Sequence, residues 1–347
     1  MQAQRLLDAW RGDADVAAWL VPVNPVPWRL FDRLLRIKYV RTVVTQLLYW
    51  PLLLRELRRA DVVHVFSASY ASFLLAPLPA VLVARLLGKP VVLNYRSGEA
   101  PDHLQRSAIA RRVLRSVDLN VVPSAFLRDV FAGFDIQATI VANLCDLSRF
   151  PYRERDSLGP RLLSTRNFEP LYNVACTLRA FARVQAVYPE ASLTLVGGGS
   201  QEAQLRALAR RLGLRQVTFT GVVAPEEIHR FYREADLYVQ TPAIDNMPAS
   251  VIEAFASGLP VVATRVGGVP AILEDGVHGL LAAADDDEEV ASHVLMLLGN
   301  PGRARDLARA AHATCVRYEW GVLRSQWLDA YRSALKPARA PRLAEAA

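Results

Sequence analysis

Cysteine is scarce in this 347-residue chain, with only Cys145, Cys176 and Cys315. Three thiols so far apart cannot make a disulfide framework or a zinc cluster, and they read as buried side chains in a reduced, cytoplasmic setting. A secretory leader is not expected either: Met1 runs into Gln-Ala-Gln-Arg-Leu-Leu-Asp, a polar helical pattern rather than a basic region and an apolar run. Long apolar runs are also missing. Ser67–Ala84 is uncharged, but it contains Pro77 and Pro79 and falls short of the ~20 residues a membrane span needs. It is expected to form a buried crossover helix in two pieces.

Acidic residues are short in the first half alone. Residues 1–150 carry 19 Lys/Arg against 12 Asp/Glu, whereas residues 151–347 carry 22 of each. Most of the excess lies from Arg29 to Arg59, where Arg29, Arg33, Arg36, Lys38, Arg41, Arg55, Arg58 and Arg59 face only Asp32 and Glu56. Trp28, Phe31, Tyr39, Tyr49 and Trp50 are interleaved with them. A basic amphipathic stretch of this kind suits an anionic membrane surface, each cation contributing about 1 kcal/mol there; an ordinary solvated helix face is the other reading. Without a recognition helix or an aromatic sheet motif, nucleic acid is not an expected partner.

What the chain has is alternation. Short β-branched runs separated by helical stretches predict parallel sheets wrapped by helices, an α/β architecture. The expected strands are Val16–Val21, Asp61–Phe66, Pro90–Tyr95, Leu119–Val122 and Thr139–Ala142, then Arg161–Ser164, Ser192–Val196, Val217–Thr220, Leu237–Gln240, Pro260–Thr264 and Gly279–Leu281. At 347 residues two domains are expected, divided by the polar connector near Phe150–Gly159. They are residues 1–150 and 151–336, each Rossmann-like and doubly wound, with a ligand cleft between them. A tail at 337–347 is expected to be disordered. The first domain opens on a helix, Gln2–Trp10, so it reads as lacking its opening strand.

Chemistry concentrates between Leu237 and Thr264. A strand ends at Gln240, a loop carries Asp245-Asn246, and a helix begins near Pro248, with Asn246 or Met247 expected at the cap. Orphan N–H groups and the helix dipole at such a start can hold a phosphate. Glu253, about a turn and a half inside, is placed to accept hydrogen bonds from ribose hydroxyls. Gly267-Gly268 follows the next strand, where missing side chains allow close backbone approach to a ligand.

The order Asp245…Glu253-Ala254-Phe255-Ala256-Ser257-Gly258-Leu259-Pro260-Val261-Val262-Ala263-Thr264, then Gly267-Gly268-Val269-Pro270, resembles the GT-B glycosyltransferases of the retaining family 4 type. Leu195-Val196-Gly197-Gly198-Gly199, Phe219-Thr220-Gly221-Val222 and Glu274-Asp275-Gly276 extend the likeness. The resemblance implies two Rossmann-like domains, the first on the acceptor side and the second binding the sugar nucleotide, with the last helix returning to the first domain. It also implies transfer of a sugar, with retention, from a nucleotide-diphosphate sugar to a glycan or lipid-linked acceptor in cell-surface polysaccharide or glycolipid synthesis. The work would be done in the cytoplasm or peripherally on the inner membrane face. The sugar nucleotide is a co-substrate; no cofactor and no metal are implied.

Carried over by residue, Arg166 would hold the diphosphate, Asp245 would touch the transferred sugar and Glu253 would bind ribose. The backbone from Asn246 through Met247, Pro248, Ala249, Ser250 and Val251 would line the donor, with Gly198 and Gly199 nearby and Arg96 and Glu99 reaching from the first domain. Two departures stand out. Aspartate occupies the position where the family usually has glutamate, and Leu171-Tyr172 stand where it has a second phosphate cation, leaving Arg96 and Arg265 as candidates for that charge. These losses, with the first domain's opening, support an alternative: a non-catalytic sugar-nucleotide-binding or partner-binding relative. A nicotinamide enzyme is not supported, because Gly197-Gly198-Gly199-Ser200 lacks the third glycine and no acid ends the next strand. Asp285-Asp286-Asp287-Glu288-Glu289 reads as a helix start rather than a metal site, and His64 as a core histidine.

Overall fold

A computed structural model describes residues 2–25, 38–67 and 69–335. The basic residues Arg29, Arg33 and Arg36 and the tail after Leu335 lie outside them. The chain forms two compact units: residues 1–123, 127–141 and 323–347, and residues 124–126 and 142–322.

The first unit holds a parallel sheet in the order β1-β2-β3-β4, made of Val63–Ser67, Val91–Tyr95, Leu119–Val122 and Thr139–Ile140. Its helices are α1 (Gln2–Ala9), α2 (Lys38–Leu57), α3 (Tyr70–Leu75), α4 (Pro77–Leu86), α5 (Ala100–Arg106), α6 (Ala108–Ser116) and most of α7 (Ala125–Ala132). β2 is buried along its whole length, as expected of a parallel strand covered on both faces. The uncharged stretch after β1 does fold as two crossover helices, but it is only partly buried, Tyr70, Leu74, Leu75 and Leu82 being exposed; Ala76, between them, ends α3 and caps α4, with Pro77 following at the helix start. Val16–Val21, expected as a strand, is not one. Trp19 and Leu20 are exposed, and without a neighbouring strand an extended segment has no ladder to join.

The second unit holds β5 (Arg161–Ser164), β6 (Ser192–Val196), β7 (Val217–Gly221), β8 (Leu237–Gln240), β9 (Val261–Thr264) and β10 (Leu280–Ala282), in the order β10-β9-β8-β5-β6-β7. Its helices are α8 (Val174–Val187), α9 (Glu202–Arg211), α10 (His229–Glu234), α11 (Ala249–Ala256), α12 (Val269–Ile272), α13 (Asp287–Gly299) and α14 (Pro301–Ala313). The last helix, α15 (Trp320–Leu335), belongs to the first unit from Leu323 onward. One apolar layer is built on Leu162, Phe181, Leu193 and Val262, another on Tyr238, Ile252, Phe255 and Val261. Asp286 caps α13 by accepting the Glu289 N–H at 2.9 Å, while Arg179 and Arg183 pair with Asp285, Asp287 and Glu288. Buried Arg155 donates to the carbonyls of Ala235, Ser257, Gly258 and Tyr232 at 2.9–3.0 Å, tying the ends of α10 and α11 together.

His64 anchors α15 to the first sheet. Its ring stacks on Phe66 with centroids 4.5 Å apart and lies against Trp327 at 4.8 Å. Nε2 is 3.2 Å from the Asn94 amide nitrogen, so Nε2 accepts and Nδ1 donates to the Tyr331 hydroxyl at 3.0 Å. Burial first, and the Arg96 charge second, lower its pKa to about 3. A histidine depressed in the folded state stabilises fully above its ordinary value near 6.5 and loses that contribution as the pH falls below it. Urea unfolding of the wild type should therefore show about 1 kcal/mol of extra destabilisation between pH 6.5 and 5.5. His64→Gln should lack this increment; an equal pH slope in both proteins would contradict the assignment.

Candidate functional site

From β5 the chain of the second unit moves outward to β6 and β7, then returns on the other side of β5 as β8. The strand order reverses between β5 and β8, where open parallel sheets gather their ligands at the carboxyl ends. Arg166 leaves β5 and Asp245 lies on the loop after β8. The two meet across this point, Arg166 Nη2 to Asp245 Oδ2 at 2.5 Å, with both side chains largely buried (11% and 12% exposed). Burial raises the Asp245 carboxyl above its ordinary range, and Arg166 opposes that shift.

The guanidinium is held on three sides. Its Nη1 reaches Ser250 Oγ at 3.3 Å, and its carbon lies 4.0 Å from the centroid of the Tyr172 ring. Tyr172 ends a single 3-10 turn, Pro170–Tyr172, closed by Asn173 in the left-handed region (φ 43°). That turn is fixed to the β8 loop, since Leu171 O accepts the N–H groups of Ala243 and Ile244, and Asn173 O accepts the Thr241 hydroxyl. Arg166 Nε is buried and has no acceptor among the described residues.

Helix α11 starts one residue later than the sequence suggests, with Pro248 itself as the cap. Asn246 and Met247 serve the loop instead: the Asn246 side chain meets Ser124 Oγ, and Met247 O accepts from Asn143 Nδ2 at 3.1 Å. Val251 N–H donates to Pro248 O at 3.2 Å, so the helix presents the N–H groups of Ala249 and Ser250 as its unpaired donors. The adjacent donors and the dipole of a helix start favour an anion.

Glu253 is buried within α11, and its Oε2 accepts from the Tyr232 hydroxyl at 3.0 Å. Tyr232 also meets Thr165 Oγ1 at 2.6 Å, and Thr165 meets Tyr238 at 3.2 Å. Burial and the Glu253 charge push the Tyr232 phenol well above its ordinary pKa, so it remains a donor to the carboxylate. The sequence reading missed Tyr232, Tyr238, Thr165 and Tyr172. Tyr172 alone had a signal, standing where a cation was sought.

The glycines lie close against the chain's own backbone. A Cβ on Gly267 or Gly268 would lie 2.0 Å from the carbonyl oxygen of Asp245 or Asn246 respectively, and Gly268 N–H donates to Asp245 O at 3.1 Å. Their close approach is to the chain's own loop. Likewise Gly197, at positive φ, abuts Arg166 O, and Gly198 O accepts the Phe168 N–H at 3.0 Å, so the triple-glycine loop braces the segment carrying Arg166. Arg265, considered as a second cation, is paired with Asp275 at 2.6 Å. Arg96 and Glu99 lie in the first unit after β2, with Glu99 N–H bonded to Ser97 Oγ at 3.2 Å.

Gly268→Ala should therefore cost on the order of 2 kcal/mol, because its methyl cannot enter without moving the 245–246 backbone. Gly299→Ala, at a position with nothing within 4 Å of the new methyl, should be neutral or stabilising by about 0.5–1 kcal/mol. Equal unfolding midpoints for the two variants would show that the glycine pair does not set the loop.

Residues 153–314 match the model of the glycosyl transferases group 1 family, and residues 8–149 that of glycosyltransferase family 4. Sulfoquinovosyl transferase SQD2 of Arabidopsis thaliana is 27% identical over 81% of this chain, and a D-inositol 3-phosphate glycosyltransferase of Segniliparus rotundus 28% over 75%. The aligned regions cover 59% and 62% of those relatives' own lengths. Among solved structures, Anabaena HepE in complex with UDP-glucose shares the fold at a TM-score of 0.72, with 19% identity over 82% of each chain. Two family models in tandem over most of the chain, on two parallel-sheet α/β units, show that the protein belongs to the GT-B glycosyltransferases, family 4 type.

Proposed function

We propose that this protein is a retaining glycosyltransferase that moves a sugar from a nucleotide-diphosphate sugar to a glycan or lipid-linked acceptor. The pathway we propose is synthesis of cell-surface polysaccharide or glycolipid. The observation that carries the reading is Arg166, held beside the N-terminus of α11 at the switch point of the second sheet with its Nε unpaired among the described residues. A buried cation and two orphan N–H groups form a fixed electrostatic cradle for a leaving diphosphate. Glu253, restrained by Tyr232, is offered as the ribose acceptor, and Asp245 as the contact to the transferred sugar.

In this mechanism the acceptor hydroxyl attacks from the face the diphosphate leaves, and a phosphate oxygen takes its proton. The chain's own residues bind, orient and stabilise; none is assigned as a covalent nucleophile, and no metal or cofactor is assigned. Tyr172 compensates in part for the missing second cation by fixing the single guanidinium in place through a cation–π contact. Arg96 and Glu99 are proposed to contact substrate from the first unit. The lipid-linked class of acceptor, and action on the inner face of a membrane, are supported by the basic stretch of residues 29–59.

Nucleotide release and donor titration with UDP-, GDP- and ADP-sugars test the reading. Arg166→Ala should weaken donor binding roughly 10- to 100-fold, the loss of a charge-assisted contact. Tyr172→Ala should cost about 3- to 30-fold, and Glu253→Ala should also weaken it. A chain that binds no sugar nucleotide refutes the transferase. One that binds but never turns over with membrane extract supports the non-catalytic alternative.

A further inference from the structure

We propose that the outer face of α2, together with the exposed leucines of α3 and α4, inserts shallowly into an anionic lipid bilayer. This rests on the membrane reading above and deepens it, assigning the contact to an apolar helix face rather than to basic residues alone. Helix α2 buries Thr45, Tyr49, Leu53 and Leu57, a stripe at four-residue spacing. At 100° per residue Leu47 and Leu54 fall roughly 120–140° around the helix from the middle of that stripe, and Val43 and Trp50 roughly 80–100°, on its flank. Val43, Leu47 and Trp50 are exposed, Leu47 to 69%. A helix at a protein–water boundary normally turns a polar face outward, and one that is apolar on both sides requires a second apolar environment.

The surface continues beyond α2. Gln46 Nε2 donates to Leu75 O at 2.8 Å and the Tyr49 hydroxyl to Ala76 O at 3.4 Å, joining α2 to the α3–α4 junction. There Leu74, Leu75, Leu82 and Leu86 are exposed, the last to 76%. Arg41, Arg55, Arg58, Arg59 and Arg85 border the patch and are all exposed. The one acid on α2, Glu56, is half-buried beside Arg55 and Arg59. Aliphatic and indole side chains within a rim of positive charge complement acyl chains beneath anionic headgroups. A second copy of this chain would bring two rims of like charge together. No helix among the described residues is long and apolar enough to cross a membrane, so the contact is interfacial.

Flotation in about 0.1 M salt, with phosphatidylcholine vesicles and with vesicles also containing phosphatidylglycerol, tests this directly. The wild type should float with the anionic vesicles only. Leu47→Ser/Trp50→Ser should reduce binding at least tenfold without shifting the melting curve, and Arg55→Gln and Arg58→Gln should each reduce it about fivefold. Brominated acyl chains should quench tryptophan fluorescence in the wild type, and less in Trp50→Phe. Absence of flotation, or flotation unaffected by Leu47→Ser/Trp50→Ser, overturns the proposal, as does a dimer that those substitutions dissociate. Donor titration on the same samples separates the two claims: failure to float with donor binding intact removes the surface alone, and flotation without donor binding removes the transferase reading alone.

Discussion

The ion pair between Arg166 and Asp245 is the contact around which the second unit is arranged. A guanidinium and a carboxylate taken mostly out of water each lose several kcal/mol of hydration, and their attraction repays this only with good geometry and further partners. The surrounding chain supplies both: Ser250 and the Tyr172 ring hold the cation, and the Asn246 N–H bonds to Asp245 at 2.8 Å. Gly267 and Gly268 then allow the loop after β9 to close against the Asp245 and Asn246 carbonyls. These backbone segments therefore lie too close to admit a side chain between them.

That arrangement has a chemical consequence. Under the proposed function a diphosphate would meet a guanidinium already partnered by a carboxylate, with its Nε unpaired among the described residues, rather than a free positive charge. On that proposal the N–H groups at the start of α11, the helix that follows β8, would supply much of the remaining stabilisation. Aspartate in place of the longer glutamate fits here: the shorter arm reaches Arg166 at 2.5 Å while its backbone carbonyl accepts from Gly268.

Much of this was legible in the sequence, for definite reasons. Buried parallel strands such as Leu237–Gln240 and Val261–Thr264 are short apolar runs between turn residues, and their pattern is local. Arg166, Asp245 and Glu253 could be singled out as candidates because they stand at fixed places in a long ordered motif. What stayed hidden was non-local. Tyr232 reaches Glu253 across 21 positions of sequence and Tyr172 reaches Arg166 through a turn, and no periodicity announces either contact. The glycines were recognised as sites of close approach, but whether a ligand or a neighbouring loop approaches depends on the register of distant strands. Val16–Val21 failed for the converse reason: its β-branched and apolar composition is local, while strand formation needs a partner.

The most direct test is a crystal structure of the chain with a bound nucleoside diphosphate. The terminal phosphate should lie at the start of α11, within hydrogen-bond distance of the Ala249 and Ser250 N–H groups and of Arg166. A diphosphate bound elsewhere, for example against the 197–200 loop with Arg166 untouched, would contradict this placement.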